Sequence, residues 1–157
     1  MKHLSTTGLF LFISLTAFLF SCKKSDSPAA PVDVAATLQN KNWRTTAITV
    51  SPAMGGVTDV FNNVMPSCSR DDLYRFDGAS IFTLSESTVS CDPTGPQTQQ
   101  GTWSYNTTSK TLHFQLGTGG ENINLVITAI GNDSFTGTLA DNVSGVAYTY
   151  TWSFGRQ

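Results

Sequence analysis

Few residues in this sequence are of the types that carry out catalysis or bind metal ions. The chain has two His and three Cys. Cys68 and Cys91 lack the spacing of a zinc site, and His113 is the only His outside the N-terminal segment. Ser residues are plentiful, but no Gly-x-Ser-x-Gly motif is present, and a Ser nucleophile would lack a plausible base. We therefore predict that the protein is not an enzyme and has no catalytic residue, metal ligand or cofactor.

The charged residues Arg70, Asp71, Asp72 and Arg75 form the most suggestive polar group. Two adjacent carboxylates could act as a general acid and base, or could contribute to a Ca²⁺ site. Alternatively, the group forms the solvated start of a strand beside a crosslinked cysteine. We expect the second arrangement.

The first 21 residues have the organisation of a secretory signal peptide. Lys2 and His3 form a short n-region, and twelve mostly apolar residues follow at 9–20. This apolar run is shorter than the roughly 20 residues that a transmembrane helix needs. We predict that residues 1–21 are a signal peptide.

The segment that ends the signal, Leu19-Phe20-Ser21-Cys22, resembles the lipobox of bacterial lipoproteins. This resemblance implies that Cys22 becomes the first residue and is acylated, which anchors the protein to a membrane. The alternative is an ordinary secreted protein in which Cys22 forms a disulfide. Residues 22–36 are polar and then rich in Pro and Ala, which indicates a flexible tether. The start Ser-Cys-Lys-Lys resembles lipoproteins of the Bacteroidota, which implies a cell-envelope location at the outer membrane.

Two cysteines remain once Cys22 is assigned to the lipid. They are Cys68 and Cys91. Because the cell envelope is oxidising, we expect them to form a structural disulfide. A loop of this length gives a chain-entropy stabilisation of roughly 3–4 kcal/mol.

The composition excludes further classes of protein. Charged residues make up 13 % of the chain, about half of the usual share of ~25 %. With 11 % aromatic residues, the chain is too apolar to be disordered throughout. The net charge of −2 has the wrong sign for a nucleic-acid binder that uses a basic patch. We expect no nucleic-acid partner.

Short alternating segments separated by Gly, Asn, Asp and Pro predict an all-β fold. Helical turns are expected only at 32–39 and 58–65. We predict eight strands, at 43–50, 72–76, 80–86, 98–105, 110–116, 122–130, 134–140 and 146–154.

The predicted strands follow one another with short turns, which favours an up-and-down meander. Such a meander removes its exposed edges by closing into an antiparallel barrel, and eight strands enclose a core or one small ligand. In the last strand, bulky side chains alternate with Thr and other small residues, so one face points inward and the Thr-rich face outward. His113 alternates with apolar neighbours and should face outward. We predict an eight-stranded barrel domain at 37–157.

Several segments together resemble the lipocalin-like domain of Bacteroidota lipoproteins. They are Leu38 with Trp43, the segment 68–78 (CSRDDLYRFDG), Cys91, and the segment 101–105 (GTWSY). The resemblance implies a lipocalin-like barrel and carries little information about activity. Lipocalins proper have Gly-x-Trp at the first strand, and this Gly is absent here. An Arg that stacks on this Trp is also typical of lipocalins, and Arg156 is placed for it.

The aromatic residues expected on the inward face are the candidate ligand-binding residues. They are Trp43, Phe76, Trp103, Tyr105, Phe114, Tyr148, Tyr150 and Trp152. If they line a cavity, the protein binds a small hydrophobic ligand, with the Tyr hydroxyls orienting the guest. If they fill the barrel, it is a structural or protein-interaction module, such as an accessory subunit or inhibitor, whose partner the sequence does not specify.

Overall fold

The computed structural model describes residues 32–78, 80–117 and 119–157. The predicted signal peptide, the lipidation site Cys22 and the predicted tether up to Pro31 lie outside the described residues. Two short α-helices are present, α1 (Val34–Leu38) and α2 (Val60–Asn63), with a 3₁₀ turn at Ser67–Ser69. The strands are β1 (Asn42–Met54), β2 (Val57–Asp59), β3 (Leu73–Asp77), β4 (Ile81–Ser85), β5 (Thr98–Asn106), β6 (Thr111–Leu116), β7 (Asn122–Ile130), β8 (Ser134–Val143) and β9 (Val146–Arg156).

The strands form a closed antiparallel barrel of eight, as predicted. From β3 to β9 each strand pairs with the next one in sequence, and β1 closes the barrel by pairing with both β3 and β9. Trp43 marks the closure, because it lies opposite Tyr74 on one side and Arg156 on the other. The additional strand β2 pairs only with the distal part of β1 and leads into α2. The predicted helical turn at 58–65 is therefore part strand and part helix.

Alternation along the strands places the apolar side chains inside. In β6 and β7 every second residue is buried, for example Leu112, Phe114 and Leu125. His113 lies between two of them on the outer face and contacts the Asn124 side chain. Neighbouring aromatic rings in the interior pack at 4.3 to 6.2 Å between centroids, each pair contributing about 0.5–1.5 kcal/mol beyond its buried area.

Helix α1 closes one end of the barrel. Its last residue, Leu38, is fully buried in the core, and the indole Nε1 of Trp43 donates a 2.9 Å hydrogen bond to the Leu38 carbonyl. The Asn40 amide donates to the carbonyl of Phe76 on β3. We call this end, where β1 begins, the closed end. None of the helices in the described part of the chain is long and apolar enough to span a bilayer.

The opposite end carries the loops before β3 and after β4, which a disulfide joins. Cys68 and Cys91 are bonded, as predicted, with 5.2 Å between their Cα atoms. Asp71 strengthens the connection, because its Oδ2 accepts hydrogen bonds from the amides of Thr88 and Val89. We call this the open end.

The predicted stacking of Arg156 on Trp43 is wrong. Arg156 lies opposite Trp43 in the β1–β9 ladder, but its guanidinium reaches Asp133, 3.5 Å away. The cation above the Trp43 ring is Lys41, whose Nζ lies 5.8 Å from the ring centroid. Arg156 lies near the end of β9, where its side chain is half exposed and extends towards Asp133 instead of over the indole.

Candidate functional site

The packed interior of the barrel gives way to two adjoining cavities at the open end. The inner cavity has a volume of about 110 Å³ and is lined by Tyr74, Phe82, Leu84, Phe114, Leu116, Glu121, Ile123 and Trp152. The outer cavity has a volume of about 220 Å³ and is lined by Ile48, Val60, Glu121, Ile123, Leu139, Asp141, Tyr150 and Trp152. Because the two share Glu121, Ile123 and Trp152, we treat them together as the open-end cleft. It is small for a ligand pocket, since most span about 300–1,000 Å³.

The walls of the cleft consist mainly of inward positions of the barrel strands. Phe82 and Leu84 come from β4, and Phe114 and Leu116 from β6. The members of each pair are two positions apart, with one residue between them, so both side chains point to the same face. Val60 of α2 contributes the one helical residue of the wall.

Trp152 is the central residue of the cleft, because it lines both cavities. It lies opposite Gly137 in the β8–β9 ladder, and a Cβ at Gly137 would overlap the side chain of Leu125. This glycine therefore lets Leu125 pack directly against the backbone of β8 beside the indole.

The three indole groups of the protein differ in their hydrogen bonding. Nε1 of Trp43 donates to the Leu38 carbonyl, and Nε1 of Trp103 donates to the Asp77 carbonyl at 3.3 Å. Nε1 of Trp152 is buried and has no partner among the described residues. An unpaired buried donor costs about 1–3 kcal/mol.

Tyr74 provides a polar group at the wall of the inner cavity. The pKa of its phenol is raised to about 12, chiefly by burial and in smaller part by the carboxylates of Asp72 and Glu121. The hydroxyl therefore stays neutral and can donate or accept a hydrogen bond. Tyr150, in the outer cavity, directs its hydroxyl to the sulfur of Met54, 3.6 Å away.

The structure divides the predicted ligand-binding residues into three groups. Phe114, Tyr150 and Trp152 line the cleft. Three others, Trp43, Phe76 and Trp103, are buried within the core towards the closed end and reach neither cavity.

The third group consists of Tyr105 and Tyr148, which line neither cavity. Tyr105 packs against the edge of the core. Tyr148 is half-buried on β9, opposite Asp141 of the outer cavity wall, but does not itself line the cavity. Burial along β9 increases from Val146, which is 44 % exposed, to Phe154, which is 2 % exposed. The predicted stripe on the last strand is therefore inside the barrel only in its second half.

Asp71 and Asp72 do not form the solvated strand start that the sequence suggested. Asp71 anchors the loop after β4, as described above. Asp72 is only 7 % exposed, and its Oδ1 has no hydrogen-bond partner within the described part of the chain. The pKa of Asp72 is raised to about 6, chiefly by burial and in smaller part by the carboxylates of Glu86 and Asp71.

Several residues of the cleft were not among the predicted ligand-binding residues. The alternation in the strands carries the signal for apolar members such as Phe82 and Leu116, which share a face with aromatic neighbours. Glu121 lies just before β7 and has no such signal, because a carboxylate in a turn is ordinarily solvated.

The comparisons with known proteins and the arrangement of polar side chains give no chemical assignment. The sequence matches no protein-family model and no curated protein. Within residues 32–78, 80–117 and 119–157, no group of three or more His, Cys, Asp or Glu side chains is arranged to hold a metal ion. The function must therefore be argued from the cleft.

Proposed function

We propose that this protein is a lipid-anchored, lipocalin-like lipoprotein of the bacterial cell envelope that binds a small hydrophobic ligand and catalyses no reaction. The observation that carries the proposal is the open-end cleft, whose walls are aromatic and aliphatic apart from two carboxylates. Ligand pockets combine such walls with a few polar groups that orient the guest. Here Tyr74 and Glu121, which line the inner cavity, carry the hydrogen-bonding groups.

The anchor is proposed from the sequence alone. The segment Leu19-Phe20-Ser21-Cys22 resembles a lipobox, and a polar stretch rich in Pro and Ala separates Cys22 from the barrel. Acyl chains stabilise membrane attachment by about 0.8 kcal/mol per buried methylene. We propose attachment to the outer membrane in an organism of the Bacteroidota, since the sequence after Cys22 resembles lipoproteins of that group.

A second candidate function is a structural or protein-interaction module. The observation that favours it is the filled core, in which Trp43 and Phe76 are fully buried and Trp103 is 4 % exposed. In this alternative the cleft is a packing gap, and the surface of the barrel contacts a protein partner as an accessory subunit or inhibitor.

A cavity-filling substitution distinguishes the two functions. Ile123 lines both cavities and is 8 % exposed. In Ile123→Trp the larger side chain should occupy the cleft, so we expect the affinity for neopentylbenzene, a compact apolar probe, to fall by at least about tenfold, or 1.4 kcal/mol. Titration calorimetry on the purified protein measures the affinity, and circular dichroism verifies that the variant is folded.

Val126→Trp is the matched control for this substitution. Val126 lies on the same strand but on the outer face, where it is 43 % exposed. The substitution Val126→Trp introduces the same side chain outside the cleft, so the affinity for neopentylbenzene should be unchanged. If the unsubstituted protein does not bind neopentylbenzene, or if both variants bind it as well as the unsubstituted protein does, the ligand-binding proposal is wrong.

A further inference from the structure

The charged residues around the open-end cleft all have the same sign. Glu121 lines both cavities and Asp141 lines the outer one, and no Lys, Arg or His is among the described residues of the wall. Ligand sites for carboxylates or phosphates ordinarily provide a cation or a cluster of amide donors. This cleft presents the opposite charge.

Two further carboxylates lie at the same end of the barrel. Asp72 continues the inward alternation of Tyr74 and Phe76 on β3, and it is nine-tenths buried with an unpartnered Oδ1. Glu86 follows β4, where it accepts hydrogen bonds from the amide of Cys91 at 3.0 Å and from the Ser90 hydroxyl. The raised pKa of Tyr74, to which both Asp72 and Glu121 contribute, shows that their negative potential reaches the wall of the cleft.

The basic residues at this end do not offset the negative charge inside the cleft. Arg70 donates two hydrogen bonds to the Met65 carbonyl and one to the Asn62 carbonyl, all outside the wall. Arg44 alternates with the buried Trp43 and Thr45 on β1 and therefore lies on the outer face.

The aromatic rings of the wall add a second attraction for positive charge. Tyr150 and Trp152 line the outer cavity together with Glu121 and Asp141. The faces of such rings attract organic cations by about 0.5–2 kcal/mol, most strongly for Trp and away from water. An apolar space with aromatic walls and carboxylates at its opening therefore matches a molecule with a positive head and an apolar body.

We propose that the ligand of the open-end cleft is an organic cation, with its ammonium group beside Glu121 and Asp141 and its apolar body in the inner cavity. This inference rests on the proposed function, because it names the chemical class of the ligand for the same cleft. It predicts that fatty acids and other anionic amphiphiles are excluded, since their carboxylates would lie against carboxylates of the protein.

Three probes of similar size and shape test the inference in titrations of the purified protein. Benzyltrimethylammonium is cationic, neopentylbenzene is its neutral isostere, and phenylpropanoate is anionic. We expect benzyltrimethylammonium to bind at least about tenfold more tightly than phenylpropanoate. Glu121→Gln should reduce this ratio of cation affinity to anion affinity by about fivefold, which is the upper limit for an exposed ion pair. It should leave the affinity for neopentylbenzene unchanged.

Asp133→Asn is the matched control, because it removes one negative charge at the closed end, where the Asp133 side chain is 82 % exposed. It should leave the cation-to-anion ratio unchanged. If phenylpropanoate binds as tightly as the cation while neopentylbenzene also binds, the charge inference is wrong and the proposed function stands. The inference is also wrong if Glu121→Gln and Asp133→Asn reduce the ratio equally. If neopentylbenzene does not bind, the proposed function fails, and the inference, which rests on it, fails with it.

Discussion

The carboxyl group of Asp72 makes the open end of the barrel sensitive to pH. Burial raises its pKa to about 6, and the neighbouring carboxylates of Glu86 and Asp71 add to the effect. In the unfolded chain an Asp titrates near pH ~4. Between these values the folded state binds more protons than the unfolded state. The contribution of Asp72 to folding stability is therefore greatest at low pH and falls as the pH rises through about 6.

Replacing Asp72 by Asn should remove this pH dependence. We expect the free energy of unfolding of Asp72→Asn, relative to the unsubstituted protein, to be about 2 kcal/mol higher at pH 7.5 than at pH 4, because the amide carries no charge to desolvate. Urea unfolding at the two pH values measures this double difference, in which the titration of all other groups cancels. A double difference near zero, or one of the opposite sign, would contradict the assigned environment of Asp72.

At the residue scale, alternation predicts which side chains face inward but not which of them border empty space. Phe114 and Trp43 both occupy inward positions, yet only Phe114 reaches the cleft. The difference depends on distance from α1, whose Leu38 packs the closed end. The burial of Asp72 was equally hidden, because an aspartate just before a strand is ordinarily exposed, whereas this one is 7 % exposed.

At the element scale, the pairing of β5 with β6 depends on a glycine. Gly101 lies opposite Leu116, and a Cβ at this position would overlap the backbone carbonyl of Gln115. The two strands therefore approach more closely here than any other residue would allow. Leu116 lines the inner cavity, so this close approach also shapes the cleft.

Gly101→Ala should therefore destabilise the barrel. The added methyl group has to displace the backbone of β6, and we expect a loss of about 2–3 kcal/mol in the free energy of unfolding. Gly131→Ala is the control, because the nearest atom to its added Cβ is the Ser134 carbonyl oxygen at 3.8 Å, an ordinary contact. Thermal unfolding of both variants measures the effect, and equal stabilities would show that β5 and β6 have room at Gly101.

The eight barrel strands were predictable because each carries its own alternation and ends at a turn residue. The bounds of β7 agree with the prediction, whereas β1, β8 and β9 extend further than predicted. The two extra residues of β9, Gly155 and Arg156, pair with Arg44 and Trp43 at the start of β1. Such pairing is a long-range contact and leaves no local pattern. The short strand β2 depends in the same way on its pairing with β1.

At the scale of the whole molecule, the barrel has one packed end and one open end. Helix α1 and the aromatic core fill the first, and the disulfide-linked loops and α2 surround the second. The closed eight-stranded architecture followed from strand count and turn length. The position and charge of the cleft could not be predicted in this way. They depend on Glu121, which precedes β7, and on Asp141, which lies on β8, and the two line one cavity only in the folded barrel.

The central claim is that the open-end cleft holds a ligand, and the indole N–H signals of the three Trp residues test it most directly. In a ¹H–¹⁵N spectrum of the purified protein titrated with neopentylbenzene, we predict a saturable shift of the Trp152 indole signal, because it lines both cavities. The signals of Trp43 and Trp103, which are hydrogen-bonded to Leu38 and Asp77 away from the cleft, should move little. An unchanged Trp152 signal, or equal shifts of all three signals, would contradict the account.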